Sequence, residues 1–245
     1  MQVKILYEDE QIIVIFKPAG MASQPDRSLQ MDACSWLKNY LQAGGKANAD
    51  PYIGVVHRLD RPVAGVMVYA RTRGAAAELS RQVREGEMDK IYLTVLTGIP
   101  GGADPGKWVR LEDRIEEGRG GRPSFLVTAP AGGKRACLEY RLLEMSSPGA
   151  DQVLSLTAVR LFTGRHHQIR LQMAGSGAGI YGDTKYNPLF RNSRGWHDLA
   201  LCACSLALRH PQTGKKLRFT ADPGRAINVH FPDSGVRLAE LLQSS

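Results

Sequence analysis

Val55-Val56-His57-Arg58-Leu59-Asp60-Arg61-Pro62-Val63-Ala64-Gly65-Val66-Met67-Val68-Tyr69-Ala70 sets a polar cluster between two apolar runs. Short apolar runs of this kind read as strands, and a polar cluster between them falls at strand ends, where chemistry is commonly placed. Asp60 is the one carboxylate in the stretch. Taken alone, an aspartate in such a loop is more often a turn former, or an ion-pair partner of Arg58 or Arg61, than a catalyst.

Working outward, residues 12–16 are all apolar and are followed by Lys17-Pro18-Ala19-Gly20, a strand stopped by a turn. Trp36, Leu37, Tyr40 and Leu41 recur at helical spacing and end at Gly44-Gly45, where a glycine cap is expected. Ala75, Leu79, Gln82 and Val83 predict a second helix, and Ile91, Leu93 and Val95 alternate as in a half-buried strand. Residues 98–133 are rich in Gly, Pro and Arg, with little periodicity beyond Phe125-Leu126-Val127, and predict a loop-rich insertion. Strand-like runs resume at 137–143 and 153–161, and a short helix is expected from about His166 to Ala174. Runs at 199–208 and 217–219 read as strands joined by a hairpin at His210-Pro211-Gln212-Thr213-Gly214, and residues 236–242 as a last helix. Strands outnumber helices and short turns join many of them, which predicts an α+β fold.

The length of 245 residues suits one catalytic domain with loop insertions. The N-terminal stretch lacks the apolar core of a signal peptide, and no run approaches the roughly 18 apolar residues of a membrane span. Cytoplasm is the expected compartment, with no membrane partner. Cys34, Cys137, Cys202 and Cys204 form no CxxC pair and are read as free, small apolar packing residues. The six histidines make no HExxH or zinc-spaced set, so no metal site is expected.

Charge is unevenly spread. From residue 160 to 225 there are 11 Lys/Arg and 3 Asp/Glu, while the remainder holds 21 of each, so the whole excess of +8 lies in one stretch. A basic face of this kind suits a polyanion, because neutralised phosphates release counterions. An ordinary solvated surface rich in Lys and Arg is the equal alternative on charge alone.

Three separated segments then coincide: His57-Arg58-Leu59-Asp60-Arg61, Gly164-Arg165-His166-His167-Gln168-Ile169-Arg170 and Gly182-Asp183-Thr184-Lys185-Tyr186. In this order and at these intervals they resemble the RluA-type pseudouridine synthases. Lys17-Pro18-Ala19-Gly20, Lys90-Ile91-Tyr92 and the hairpin around His210-Pro211 are similar to further motifs of that family, so the likeness covers most of the chain.

The resemblance implies a bent, mostly antiparallel mixed sheet with flanking helices, and a reaction without cofactor or metal. In that reaction the uracil of a uridine in structured rRNA or tRNA leaves its ribose, turns, and rejoins through carbon. It assigns Asp60 as the catalytic carboxylate, acting as nucleophile or as stabiliser of a cationic sugar, with Arg170 as the charge that keeps it ionised. Tyr92 would stack on the flipped base and its hydroxyl is a candidate for moving the C5 proton, while Arg58 would fill the vacated space. His57, Arg61, Arg165, His167, Gln168 and Leu201 complete the implied substrate contacts. The whole of 1–245 is then a single catalytic domain with the insertion at about 98–133. The small S4-type RNA-binding domain that often precedes it has no room before Lys17. A monomer is expected.

Two departures stand out. Pro62-Val63-Ala64-Gly65-Val66 replaces the family's usual acidic residue followed by Thr-Ser-Gly-Leu, and Leu201-Cys202-Ala203 replaces Leu-His-Ala. Two rivals remain at this point. A non-catalytic RNA-binding or folding factor could dispense with Asp60, Tyr92 and Arg170, all of which are present. A hydrolase using Asp60 with His57 would want a second carboxylate, which the motif lacks.

Overall fold

In the computed structural model, which describes residues 2–26, 28–45, 50–118, 123–127, 132–149, 152–195 and 197–244, the apolar run at 12–16 is a strand with Ile12, Ile13, Val14 and Ile15 buried. The first part of the chain forms β1 (Lys4–Glu8), β2 (Ile12–Lys17), α1 (Ala33–Ala43), β3 (Gly54–Val55), β4 (Ala64–Ala70) and α2 (Arg73–Glu85). Next come β5 (Asp89–Thr97), β6 (Val109–Glu116), β7 (Phe125–Val127), β8 (Lys134–Gly149), β9 (Gln152–Leu161), α3 (Gln168–Gly175) and α4 (Pro188–Arg191). The chain ends with β10 (Leu201–Arg209), β11 (Lys216–Thr220), α5 (Arg225–Asn228) and α6 (Ser234–Gln243). The fold is α+β, and its elements divide into two compact units: Met1–Asp89 with Ala203–Ala221, and Lys90–Cys202 with Asp222–Ser245.

In the first unit the strand order is β1-β2-β4-β10, with β11 on β10 and β3 on β4. β2 and β4 run antiparallel, Ile12 lying opposite Ala70 and Lys17 opposite Gly65. Ala75 and Leu79 on one face of α2 pack with Ile12, Val14, Val66, Val68, Leu206 and Leu208. Each such aliphatic side chain stabilises by about 1.5–3 kcal/mol when fully buried. The helix starts where Thr72 accepts the Ala75 amide and stops at Gly86, whose left-handed φ of 72° favours glycine. Gln82, also buried, donates its amide to the Arg209 carbonyl and accepts the Arg209 N–H, fixing the end of β10 as a strand partner would.

In the second unit the order is β5-β9-β8-β6-β7, each neighbouring pair antiparallel. Here the structure corrects one expectation. The stretch at 98–133, read as loop-rich, supplies β6 and β7 to this sheet. Val109, Leu111 and Ile115 do alternate with exposed charged residues, but Asp113 breaks the apolar series. That aspartate is satisfied on the same face by Gln172 Nε2 at 2.7 Å, beneath α3, where Ile115, Ala136 and Leu171 form a small core. The helix expected from His166 begins at Gln168, because His167 adopts a left-handed φ of 56°. All four cysteines are buried and none forms a disulfide. Among the described residues no helix is long and apolar enough to cross a membrane, and no group of three or more His, Cys, Asp or Glu could hold a metal.

Candidate active site

Asp60 stands half-buried on the loop between β3 and β4, and that loop is held through its backbone. The buried Ser23 hydroxyl accepts the Leu59 N–H at 3.0 Å and donates to the Leu59 carbonyl at 2.8 Å. Tyr69 in turn donates its hydroxyl to the Ser23 carbonyl at 2.8 Å. One residue beyond Asp60, the Arg61 carbonyl accepts from the Gly20 amide at 2.8 Å and from Lys17 Nζ at 3.4 Å. Lys17 is fully buried and also donates to the carbonyls of Pro18 and Met21 at 2.9 and 2.7 Å, which meets the need of an ammonium removed from water. The Lys17-Pro18-Ala19-Gly20 turn and the Asp60 loop are thereby one construction.

The other side chains of the loop have distinct places. His57 accepts the Val68 amide on Nε2 at 3.1 Å, and Arg58 is exposed. Arg61 reaches back to the 26–30 loop, donating to Asp26 Oδ2 and Ser28 Oγ at 2.6 Å each, and to Gln30 Oε1. The Ser28 hydroxyl, followed by Arg61, holds the Asp26 carboxyl down to about 2.

In the second unit Arg170 projects from α3 as a buried guanidinium. Its Nε donates to Asp183 Oδ2 at 2.8 Å and its Nη2 to Asp183 Oδ1 at 2.6 Å. Asp183 Oδ1 also accepts the amides of Lys185 and Tyr186, at 2.9 and 3.2 Å. Burial alone would raise the Asp183 carboxyl, but the bonds and charge of Arg170 and the two amides outweigh it and hold the group below its usual 3.8. The Tyr186 ring lies under the Arg170 guanidinium, 5.1 Å from its centroid, and the Tyr186 hydroxyl pairs with His167 Nδ1 at 2.8 Å. Burial, then the charges of Arg170, His166 and Lys185, push His167 down to about 3, so the ring is neutral at pH 7.

Gln168 spends its amide inside the protein: Nε2 donates to the Cys137 carbonyl and Gln172, and Oε1 accepts from Thr163 and the Arg165 amide. These bonds tie its side chain to the strand end at Cys137 and to the first turn of α3. Arg165 is half-buried and donates Nε to the Arg135 carbonyl at 2.9 Å. Tyr92 is buried on β5 opposite Val159, and Leu201 is buried at the start of β10. Lys17, Ser23, Asp26, Asp183 and Tyr186 were not singled out from the sequence as site residues. For Asp183 and Tyr186 the signal was present in the Gly182-to-Tyr186 motif, and for Lys17 in the Lys-Pro-Ala-Gly turn.

The family pattern described as RNA pseudouridylate synthase matches residues 11–175. Ribosomal large subunit pseudouridine synthase D of Xanthomonas campestris pv. campestris is 33% identical, covering 97% of this chain and 72% of that protein. tRNA pseudouridine synthase C of Haemophilus ducreyi is 31% identical, covering 90% and 91%. The solved structure of human RNA Pseudouridylate Synthase Domain Containing 4 shares the fold, with a TM-score of 0.73 at 23% identity over 96% of this chain and 93% of that one. The chain belongs to the RNA pseudouridylate synthase family, whose members are isomerases.

Proposed function

We propose that the protein isomerises specific uridines to pseudouridine in structured RNA, of the ribosomal or transfer class on which its named relatives act. Asp60 supplies the catalytic carboxylate. The observation that carries this reading is the loop around it: Leu59 and Arg61 are both fixed through their backbones while Asp60 between them stays partly open to solvent. A carboxylate that must meet a sugar or base within a few tenths of an ångström needs such a rigid mount.

The uridine is extruded from its stack to reach the carboxylate, at a cost of a few kcal/mol. Arg58, exposed on the same loop, fills the space left behind, and Tyr92 stacks on the freed uracil and moves the proton released from C5. Arg170 supplies the positive charge that an ionised catalytic carboxylate requires, with Asp183 and Tyr186 setting its orientation. His57, Arg61, Arg165, His167 and Leu201 support or contact the RNA. The reaction is expected to need no cofactor or metal, and the enzyme to act as a cytoplasmic monomer.

The test is tritium release from RNA labelled at uridine C5, taken from cells lacking the protein. Release by the wild type and not by Asp60→Ala or Asp60→Asn supports the reading. Tight binding of ribosomal and transfer RNA without release would replace it with a non-catalytic RNA-binding factor.

A further inference from the structure

The sheet of the second unit has two unlike faces. Strand alternation turns Ile115 and Ala136 toward α3 and leaves Arg110, Glu112 and Arg114 of β6 on the other side, all exposed. On that side the register sets Arg110 opposite Glu139 and Glu139 opposite Arg160, and sets Arg114 directly opposite Arg135.

Like charges placed directly across two strands are unfavourable unless something negative is shared between them. The carboxylate nearest to that pair is already committed. Glu112 accepts Arg110 Nε and Arg135 Nη2, both at 2.8 Å, while Arg114 turns to the carbonyls of Gly132 and Gly133. Four arginines against three glutamates, Glu112, Glu116 and Glu139, leave this face positive, and Arg165 adds a fifth at its edge through the Arg135 carbonyl.

Two aromatic rings stand among these cations. The Arg160 guanidinium lies over the Trp108 ring, 4.7 Å from its centroid, and the Arg110 guanidinium over the Phe162 ring at 5.4 Å. Phe162 is 40% exposed, and Trp108 is half-buried. Rings interleaved with arginines on a sheet offer stacking for bases and charge for phosphates, whatever the base sequence.

We propose that this face is a landing surface for single-stranded RNA, distinct from the Asp60 loop, with Trp108 and Phe162 stacking on bases and Arg114 and Arg135 sharing a phosphate. The choice of RNA as ligand rests on the function proposed above.

The probe is a fluorescein-labelled oligocytidylate of about 12 nucleotides, within the usual range of single-strand binding sites, which contains no uridine for the Asp60 loop to engage. Anisotropy is read over a series of salt concentrations for the full chain. Trp108→Ala/Phe162→Ala is expected to weaken binding by about tenfold or more. Trp108→Phe/Phe162→Tyr, which keeps the rings, should retain the affinity and so guards against a folding artefact. Arg114→Gln/Arg135→Gln should lower the slope of log affinity against log salt by about 0.7 for the phosphate they share. Absence of wild-type binding, or ring-less affinity within about twofold of wild type, would overturn the proposal; without wild-type binding an acidic protein surface becomes the better partner. Tritium release from a short uridine hairpin separates the two readings. Ring-dependent binding without release sinks the isomerase reading and leaves this one standing, whereas release without ring-dependent binding does the reverse.

Discussion

The Arg170 guanidinium and the Asp183 carboxylate meet at two points, 2.8 and 2.6 Å, and both side chains are almost wholly removed from solvent. Removing one partner strands the other charge in the interior, which typically costs about 3–5 kcal/mol. Asp183→Ala is therefore expected to lose that much stability in urea denaturation. Arg170→Met/Asp183→Leu should regain at least half of it while remaining inactive in tritium release. A loss below about 1 kcal/mol in the single variant would contradict the geometry.

Ser23 acts on Asp60 at one remove. Replacing it by Ala leaves the Leu59 N–H and carbonyl without their partner, at about 1–3 kcal/mol. The loop then loses its mount next to the carboxylate, so kcat is expected to fall about tenfold or more with KM little changed. Steady-state kinetics with an unaltered kcat would refute the positioning role.

His167 makes stability depend on acidity. Unfolded, the ring titrates near 6.5, and in the native protein near 3, so between those values the unfolded chain holds a proton that the native chain does not. Stability is complete above 6.5 and drains away as the pH falls toward 3, by an amount on the order of a few kcal/mol. Asp183, with its carboxyl held below 3.8, adds to the loss at the acid end of the same window. His167→Asn tolerates the left-handed backbone, and it should flatten the dependence of urea midpoint on pH in this range. An unchanged dependence would assign the acid sensitivity elsewhere.

The Arg61–Asp26 contact ties a surface loop to the Asp60 loop, and Leu29 at its tip is 97% exposed. Asp26→Asn should speed chymotryptic cleavage after Leu29 severalfold, with little change in melting temperature, since ion pairs at the surface contribute little to global stability. Equal cleavage rates would show that Ser28 and Gln30 hold the loop without the carboxylate.

Gly65 occupies a φ of 147°, and a Cβ there would lie 2.4 Å from Ala203 Cβ and 2.5 Å from the Ala203 carbonyl oxygen. Gly65→Ala is expected to yield little soluble protein, or protein destabilised by about 3 kcal/mol or more. Normal yield and melting temperature would mean that β4 and residue 203 can separate without cost.

The sequence made some of this legible and hid the rest for identifiable reasons. The strand at Ile12–Lys17 was plain because its first five residues are all apolar, and α2 because Ala75 and Leu79 keep helical spacing. β6 was hidden by Asp113, an acidic residue on the inward face whose donor partner lies 59 residues later in Gln172. β1 was missed because its residues are mostly half-buried and spell no clear alternation. At the site, the ordered motifs pointed to Asp60, Tyr92 and Arg170. They did not tell that the Arg170 fork closes on Asp183, because local periodicity carries no record of which carboxylate returns to a helix from 13 residues away. Lys17 read as a turn residue, since nothing in a lysine's neighbours along the chain announces that its ammonium is buried among carbonyls.

The loop that carries Asp60 is fastened by its main chain: Ser23 on Leu59, Val63 on the Asp60 carbonyl, and Gly20 with Lys17 on the Arg61 carbonyl. None of these bonds uses the Asp60 carboxylate. An Asp60→Asn protein should therefore keep the loop's shape and still recognise its RNA without completing turnover. Immobilised as bait in a lysate and followed by sequencing of what it retains, it would fish out the natural transcript and mark the nucleotide it was built to rewrite.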